Sequence, residues 1–391
     1  MVPHHAPCSC LQGILNTMRF TFFLAHMGEG GAERVMVTLA NAFARRNLVP
    51  TVVLAQAEGP LLKELLEDIP VVDLRAGHMR LVLPRLTSYL RRHRPEVLLS
   101  TLSQPNLVAL LARRWSQTST RIVVREANTP TLEFGEASSW KDRIVPQLIG
   151  LLYPQADAVV AVSHGVASAL QQLGVPKPVV IYNPVITPQM LTLSHEPEVH
   201  AWFHGDEPVV LGVGRLEPQK DFATLIRAFA QVVRVRPARL LILGEGSQRP
   251  VLQQLIQSLG IGDRVALPGY VSNPFASMRR AAVFVLSSRF EGLPNVLIQA
   301  MACGCPVVST DCPSGPAEIL DGGRYGHLVP VGDVEALAAA ILEVLAGGGK
   351  SVPSEWLQQF EESHGVAQYL QVLTGERYRA PAGKQDSPTN L

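Results

Sequence analysis

Short apolar runs recur along the chain, and amphipathic stretches fill most of the gaps between them. Runs dense in Val, Leu, Ile and Phe predict buried strands over 20–25, 51–54, 71–74, 97–101, 121–125, 158–162 and 179–182. Apolar positions at helical spacing predict helices over 32–46, 83–92, 107–114 and 166–173. Strands alternating with helices imply a parallel sheet covered on both faces. From 183 to 208 the pattern breaks, with Pro184, Pro188, Pro197 and Pro208 set among polar residues, which reads as a linker. A second series then begins, with strands over 209–213, 240–243, 265–266, 283–286, 306–309 and 328–329, and helices over 223–233, 250–259 and 334–345. Gly347, Gly348 and Gly349 end the last of these, and a further helical stretch covers about 354–373. The expectation is two doubly wound α/β domains facing a cleft, over 18–200 and 201–350. A C-terminal helix within 351–379, a disordered tail at 1–17 and a polar, Pro-rich disordered tail at 380–391 complete it.

Composition narrows the function classes. At 391 residues the chain is long enough for two cores. A net charge of +1 argues against a nucleic-acid binder, which needs a strongly basic face. No apolar run reaches the length of a membrane span. The five cysteines, Cys8, Cys10, Cys303, Cys305 and Cys312, are odd in number and lack zinc-type pairs, so buried thiols in a reducing, cytoplasmic setting are expected. Residues 1–17 carry no Lys or Arg and no long apolar run, so a signal peptide is not expected, and either Met18 is the true start or this tail is disordered.

Chemistry concentrates where strands run into helices. After the strand over 283–286 come a polar loop, Glu291, Gly292, and a helix opening near Pro294 and closing at Gly304. The helix start at Asn295 and Val296 offers free N–H groups and a positive dipole end, which suit a phosphate. Gly28, Gly30 and Gly31 follow the first strand and let backbone approach a phosphate closely, although such a loop can also be a plain tight turn. The second strand ends Leu54-Ala55-Gln56, with no carboxylate for a nicotinamide-dinucleotide ribose. Arg215 and Lys220 follow the first strand of the second domain, where two cations can hold an anion or stand solvated on the loop.

The stretch from Phe290 to Val308 resembles the signature of family 4 retaining glycosyltransferases. Phe290, Glu291, Gly292, Pro294, Ala300, Met301, Ala302, Gly304, Pro306, Val307 and Val308 match its pattern, and Gln299 stands where the family carries a second glutamate. Gly214, Arg215 and Lys220 are similar to the family's diphosphate clamp. The resemblance implies the GT-B fold of two Rossmann-like domains, with the last helix crossing back onto the first. It implies transfer from a nucleoside-diphosphate sugar, with the UDP-linked form expected, without a metal or other cofactor. Glu291 would contact the transferred sugar, with Arg215 and Lys220 catalytic beside it. Gly30, Gly31, Arg215, Lys220, Asn295 and Val296 would surround the diphosphate. Gly244, Tyr270, Val271 and Gln299 would border the nucleotide. Arg125-Glu126-Ala127-Asn128 matches a family R-x-H-N segment except at Ala127, leaving Asn128, His26 and His164 as candidate sugar or acceptor contacts.

Relatives with a Gly-Gly-Ala-Glu-Arg loop, here Gly30 to Arg34, often build lipid-linked or cell-surface glycans and many transfer N-acetylhexosamines, so a glycan or polyprenyl-linked acceptor is expected. The basic amphipathic stretch 81–94 and the stretch 140–153 could each lie on an anionic membrane or simply pack on the core. A sugar-nucleotide epimerase on the same fold, or a nucleotide-sugar binding protein without turnover, remain the alternatives. An epimerase would need carboxylate acid–base groups, and the Glu291 motif favours transfer.

Overall fold

The computed structural model describes residues 18–133, 140–197 and 200–375. The expected tails at 1–17 and 380–391, with Cys8 and Cys10, lie outside these residues.

The first domain holds one parallel sheet of β1 (Phe20–Leu24), β2 (Thr51–Leu54), β3 (Val71–Asp73), β4 (Val97–Thr101), β5 (Arg121–Glu126), β6 (Ala158–Ala161) and β7 (Val179–Val180), in the order β3-β2-β1-β4-β5-β6-β7. The second holds β8 (Val209–Val213), β9 (Arg239–Leu243), β10 (Val265–Gly269), β11 (Val283–Leu286), β12 (Val307–Thr310) and β13 (His327–Val329), in the order β10-β9-β8-β11-β12-β13. Both are the doubly wound α/β sheets that the alternating pattern implies. Their central strands are buried on both faces, which is why they read as continuous apolar runs. In each sheet the strand order reverses once, between β1 and β4 and between β8 and β11. Ligand crevices of open α/β sheets form outside the strand ends at such reversals.

Four helices matter for the site: α1 (Gly31–Ala44), α2 (Phe222–Val235), α3 (Asn295–Ala302) and α4 (Glu362–Thr374). Helix α1 packs Phe43 edge-on against Phe20 and Phe22 of β1, with ring centroids 5.5 Å apart in both pairs. Helix α2 buries Leu225, Ile226, Phe229 and Val232 along one stripe.

The break after β7 is less irregular than its prolines suggest: Thr187 caps a short helix over Pro188–Ser194 through the Met190 N–H. The stretch after residue 353 is broken as well, into Ser354–Leu357, a 3-10 turn over Gln358–Phe360, and α4. Ile186 donates to the Phe360 carbonyl and accepts from the Glu362 N–H, so the two chain crossings between domains lie side by side. Helix α4 lies on the first domain, where Glu362 pairs with Arg45 at 2.8 Å and Arg121 donates to the Val372 carbonyl.

Of the two basic or apolar surface stretches, the helix over Met79–His93 turns Val82, Leu86, Tyr89 and Leu90 into the core. The helix over Trp140–Leu152 instead buries Val145 and Ile149 while leaving Ile144, Leu148 and Leu151 exposed, Leu151 by 66%. No helix among the described residues is long and apolar enough to cross a membrane.

Candidate active site

A cavity of about 450 Å³ lies between the strand ends of the two sheets. Its walls come from the loops that leave the reversal strands: Gly30 and Gly31 after β1, Gly214 to Lys220 after β8, and Glu291 to Val296 after β11.

Backbone pairing brings the last two loops together. Arg289 N–H donates to the Gln219 carbonyl at 2.8 Å, and Gln219 Nε2 donates to the Phe290 carbonyl at 2.9 Å. Ser287 Oγ donates to the Lys220 carbonyl at 2.8 Å. The next residue, Asp221, takes a left-handed conformation, φ 45°, and caps α2 through the Thr224 N–H. That abrupt turn leaves Lys220 pointing into the cavity instead of along the helix.

Lys220 Nζ donates to Glu291 Oε1 at 2.5 Å, and Ser288 Oγ donates to the same oxygen at 2.6 Å. Both charged side chains are largely buried, at 16% and 8% exposure, so each would be costly without the other. Ser288 is fixed in turn because its carbonyl accepts from Thr310 Oγ1 at 2.6 Å. Arg215 differs: it is exposed on the cavity wall, and among the described residues its guanidinium has no hydrogen-bond partner. One cation is therefore engaged with the carboxylate and the other is available to an incoming anion.

Two glycines owe their identity to close approach. A Cβ on Gly244, φ 144°, would sit 1.9 Å from the Gly214 carbonyl oxygen, so the β9 loop packs directly under the Arg215 loop. A Cβ on Gly292 would sit 2.1 Å from the Ala127 carbonyl oxygen, across the domain boundary. Thr129 Oγ1 of the first domain donates to the Glu291 carbonyl at 3.1 Å, alongside that contact. A second seam joins the domains further out, where the Glu318 carboxylate accepts from the His164 and Gly165 N–H groups, both at 2.8 Å. Burial and the nearby Glu318 charge push the Tyr182 hydroxyl up to about 12 at this seam.

Gly30, Gly31, Asn128, Arg215, Lys220, Gly244, Tyr270, Val271, Glu291, Asn295, Val296 and Gln299 all line the one cavity. His26 and His164 are not among its lining residues. His26 accepts the Gly28 N–H on its own loop, and the His164 ring stands edge-on to Tyr182 at the outer seam. Ala127 presents its backbone, not its side chain, to Gly292. Sequence reasoning passed over Ser288, Gln219, Thr129 and Asn183. Ser288 lies three residues before Glu291, a short range that could have marked it; the other three act across tertiary contacts that no local pattern announces.

Cys303, Cys305 and Cys312 are buried free thiols. Burial, followed by the Glu291 charge, pushes Cys312 up to about 12. Among the described residues no group of three or more His, Cys, Asp or Glu side chains could hold a metal ion.

Comparison with known proteins places these features in context. The family model described as Glycosyltransferase Family 4 matches residues 29–188, and that described as Glycosyl transferases group 1 matches 207–347. The chain is 29% identical over 345 residues to the N-acetylgalactosamine-N,N'-diacetylbacillosaminyl-diphospho-undecaprenol 4-alpha-N-acetylgalactosaminyltransferase of Campylobacter jejuni, covering 83% of this chain and 89% of that protein. It is 28% identical to the lipopolysaccharide core biosynthesis glycosyltransferase LpsE of Rhizobium meliloti, over 84% of this chain and 89% of that one. Among solved structures, Anabaena Alr3699/HepE in complex with UDP-glucose superposes with a TM-score of 0.75 at 22% identity, covering 91% of this chain and 99% of that one. The apo form of the lipopolysaccharide outer core galactosyltransferase WaaB gives 0.70 at 21%, covering 92% and 100%.

Proposed function

Since this chain belongs to the family 4 glycosyltransferases and carries their GT-B fold, we propose that it transfers a sugar with retention from a UDP-linked donor to a lipid-linked or glycan acceptor, without a metal ion. The observation that carries this reading is the 2.5 Å Lys220–Glu291 contact inside a cavity that also presents Arg215 and the starts of α1 and α3.

In this reading the bond between the anomeric carbon and the diphosphate oxygen breaks. The acceptor oxygen bonds that carbon on the same face, and the acceptor proton passes to the departing diphosphate. The chain's task is to hold the leaving group's charge. Arg215 offers a fork to one phosphate, and Lys220 supplies a compact charge that shifts from Glu291 toward the other. The N–H groups at Gly31, Asn295 and Val296 add two positive dipole ends. Glu291, held by Ser288, faces the sugar. Gly244, Tyr270 and Val271 border the nucleotide, and Gln299 meets its ribose with an amide in place of a carboxylate. Asn128 is the sugar contact favoured by its position on the wall.

For the acceptor, the reading draws on the undecaprenol-diphosphate-linked substrate in the name of the Campylobacter relative. An N-acetylhexosamine is the sugar its name favours, and the exposed Ile144, Leu148 and Leu151 stripe supports a seat at the cytoplasmic membrane face.

The test is incubation with a panel of UDP-sugars and a polyprenyl-diphosphate-linked acceptor, with and without EDTA, followed by NMR of the product's anomeric configuration. An α-linked product from an α-linked donor, formed equally with EDTA, is the expected result. An inverted product refutes retention, and loss of turnover in EDTA refutes the metal-free reading.

A further inference from the structure

Arg125, the fifth residue of β5, is fully buried, and no carboxylate pairs with it among the described residues. Its Nη1 donates to Thr101 Oγ1 at 2.7 Å and its Nη2 to Asn183 Oδ1 at 2.5 Å. Its Nε and the hydroxyl of the buried Tyr369 on α4 make no well-formed hydrogen bond to any other group, and the two side chains interact with each other. A buried cation served only by neutral groups polarises them strongly.

Asn183 stands at the start of the first interdomain crossing and is itself buried. Its Nδ2 donates to Asn295 Oδ1 at 2.7 Å, and Asn295 Nδ2 donates to the Gly31 carbonyl at 3.2 Å. The direction of every link is forced. A guanidinium can only donate and a carbonyl can only accept, so both amides between them have a single workable orientation. The wire begins at a cation in the first domain, crosses to the first residue of α3 in the second, and returns to the first residue of α1. Those two residues open the helices whose starts meet on the cavity wall.

We propose that Asn183 is a positioning residue for sugar transfer, holding the starts of α1 and α3 at the separation a diphosphate requires. This rests on the transfer reading above. Asn183 stands on the cavity wall, but both ends of its amide are taken by Arg125 and Asn295, so it acts through Asn295 and Gly31.

Asn183→Asp separates this role from simple satisfaction of Arg125. The aspartate still accepts from Nη2, now as an ion pair, but meets Asn295 Oδ1 with an acceptor where a donor stood. The expected result is a melting temperature no lower than wild type and a kcat lower by about 10-fold or more. UDP affinity by calorimetry should fall by no more than about threefold, because Gly30 and Gly31 are the first-domain groups placed at the diphosphate, while the Arg215–Lys220 clamp and the nucleotide wall belong to the second domain. A kcat within about twofold of wild type overturns the proposal. Should the aspartate variant fail to fold, Asn295→Ala cuts the same wire without touching Arg125, and the same kcat outcomes decide. Wild-type protein without turnover on any donor would remove the transfer reading alone. Small-angle scattering in the presence of UDP then decides the wire: a more open variant supports it, and superposable profiles overturn it.

Discussion

Lys220 and Glu291 show how little a single side chain settles by itself. Each is an ordinary ionisable group, and their meaning comes from a 2.5 Å contact made between loops seventy-one residues apart. A cation about 4 Å from a phosphate charge contributes roughly 4 kcal/mol at an effective dielectric near 20. Replacing Lys220 or Arg215 by Ala should therefore lower turnover about 10²-fold or more, the scale for losing one preorganised charge-stabilising group. Steady-state kinetics check this, and near-normal turnover in either variant removes that residue from the clamp. Gln299 permits a gain. Hydrogen bonds to a charged group contribute roughly 1.5–3 kcal/mol against about 0.5–1.5 for neutral ones. Gln299→Glu should tighten UDP binding by about fivefold, read by calorimetry. Unchanged or weaker binding would place that side chain off the ribose.

Between elements, the decisive feature is how closely the β5 end and the β11 loop approach. Gly292 lies so near the Ala127 carbonyl that a Cβ would overlap it at 2.1 Å. Gly292→Ala should leave each domain folded but hold the domains apart, lowering kcat by about 10²-fold through misplaced reacting groups. Circular dichroism and kinetics together check the claim, and wild-type turnover would mean that the seam is not closed during transfer. The Gly-Gly loop, the cation-bearing loop after β8 and the Glu291 loop were legible beforehand, because glycine, proline and charged residues at strand-to-helix turns leave a local imprint. The partners of those loops were not. Thr129, Gln219 and Asn183 bond across 162, 71 and 112 positions, and nothing in their neighbours marks them.

For the whole molecule, orientation toward a membrane becomes an issue of which face is left apolar. The helix over Met79–His93 reads as amphipathic and basic, yet its apolar side is spent on the core. The helix over Trp140–Leu152 keeps Ile144, Leu148 and Leu151 outward. Fully burying one leucine is worth roughly 1.5–3 kcal/mol. Wild-type protein should float with anionic liposomes, and Leu148→Ser with Leu151→Ser should reduce the bound fraction by about tenfold or more. Equal flotation of both proteins moves the contact elsewhere, and no flotation of either ends the membrane reading.

The order of apolar and polar residues was enough to set two parallel sheets, because strands buried on both faces and half-buried helices leave different local periods. It was also enough to put glycines and charges at the turns between them. Which turns meet was decided only by the folded chain. Strand order in each sheet and the approach of Gly292 to Ala127 depend on contacts between distant segments, whose packing carries no local period, and the return of the last helix was implied by the family resemblance and by no local pattern. The same physics left His26 and His164, plausible at their strand ends, off the cavity wall, and drew in Asn183, which no pattern singled out.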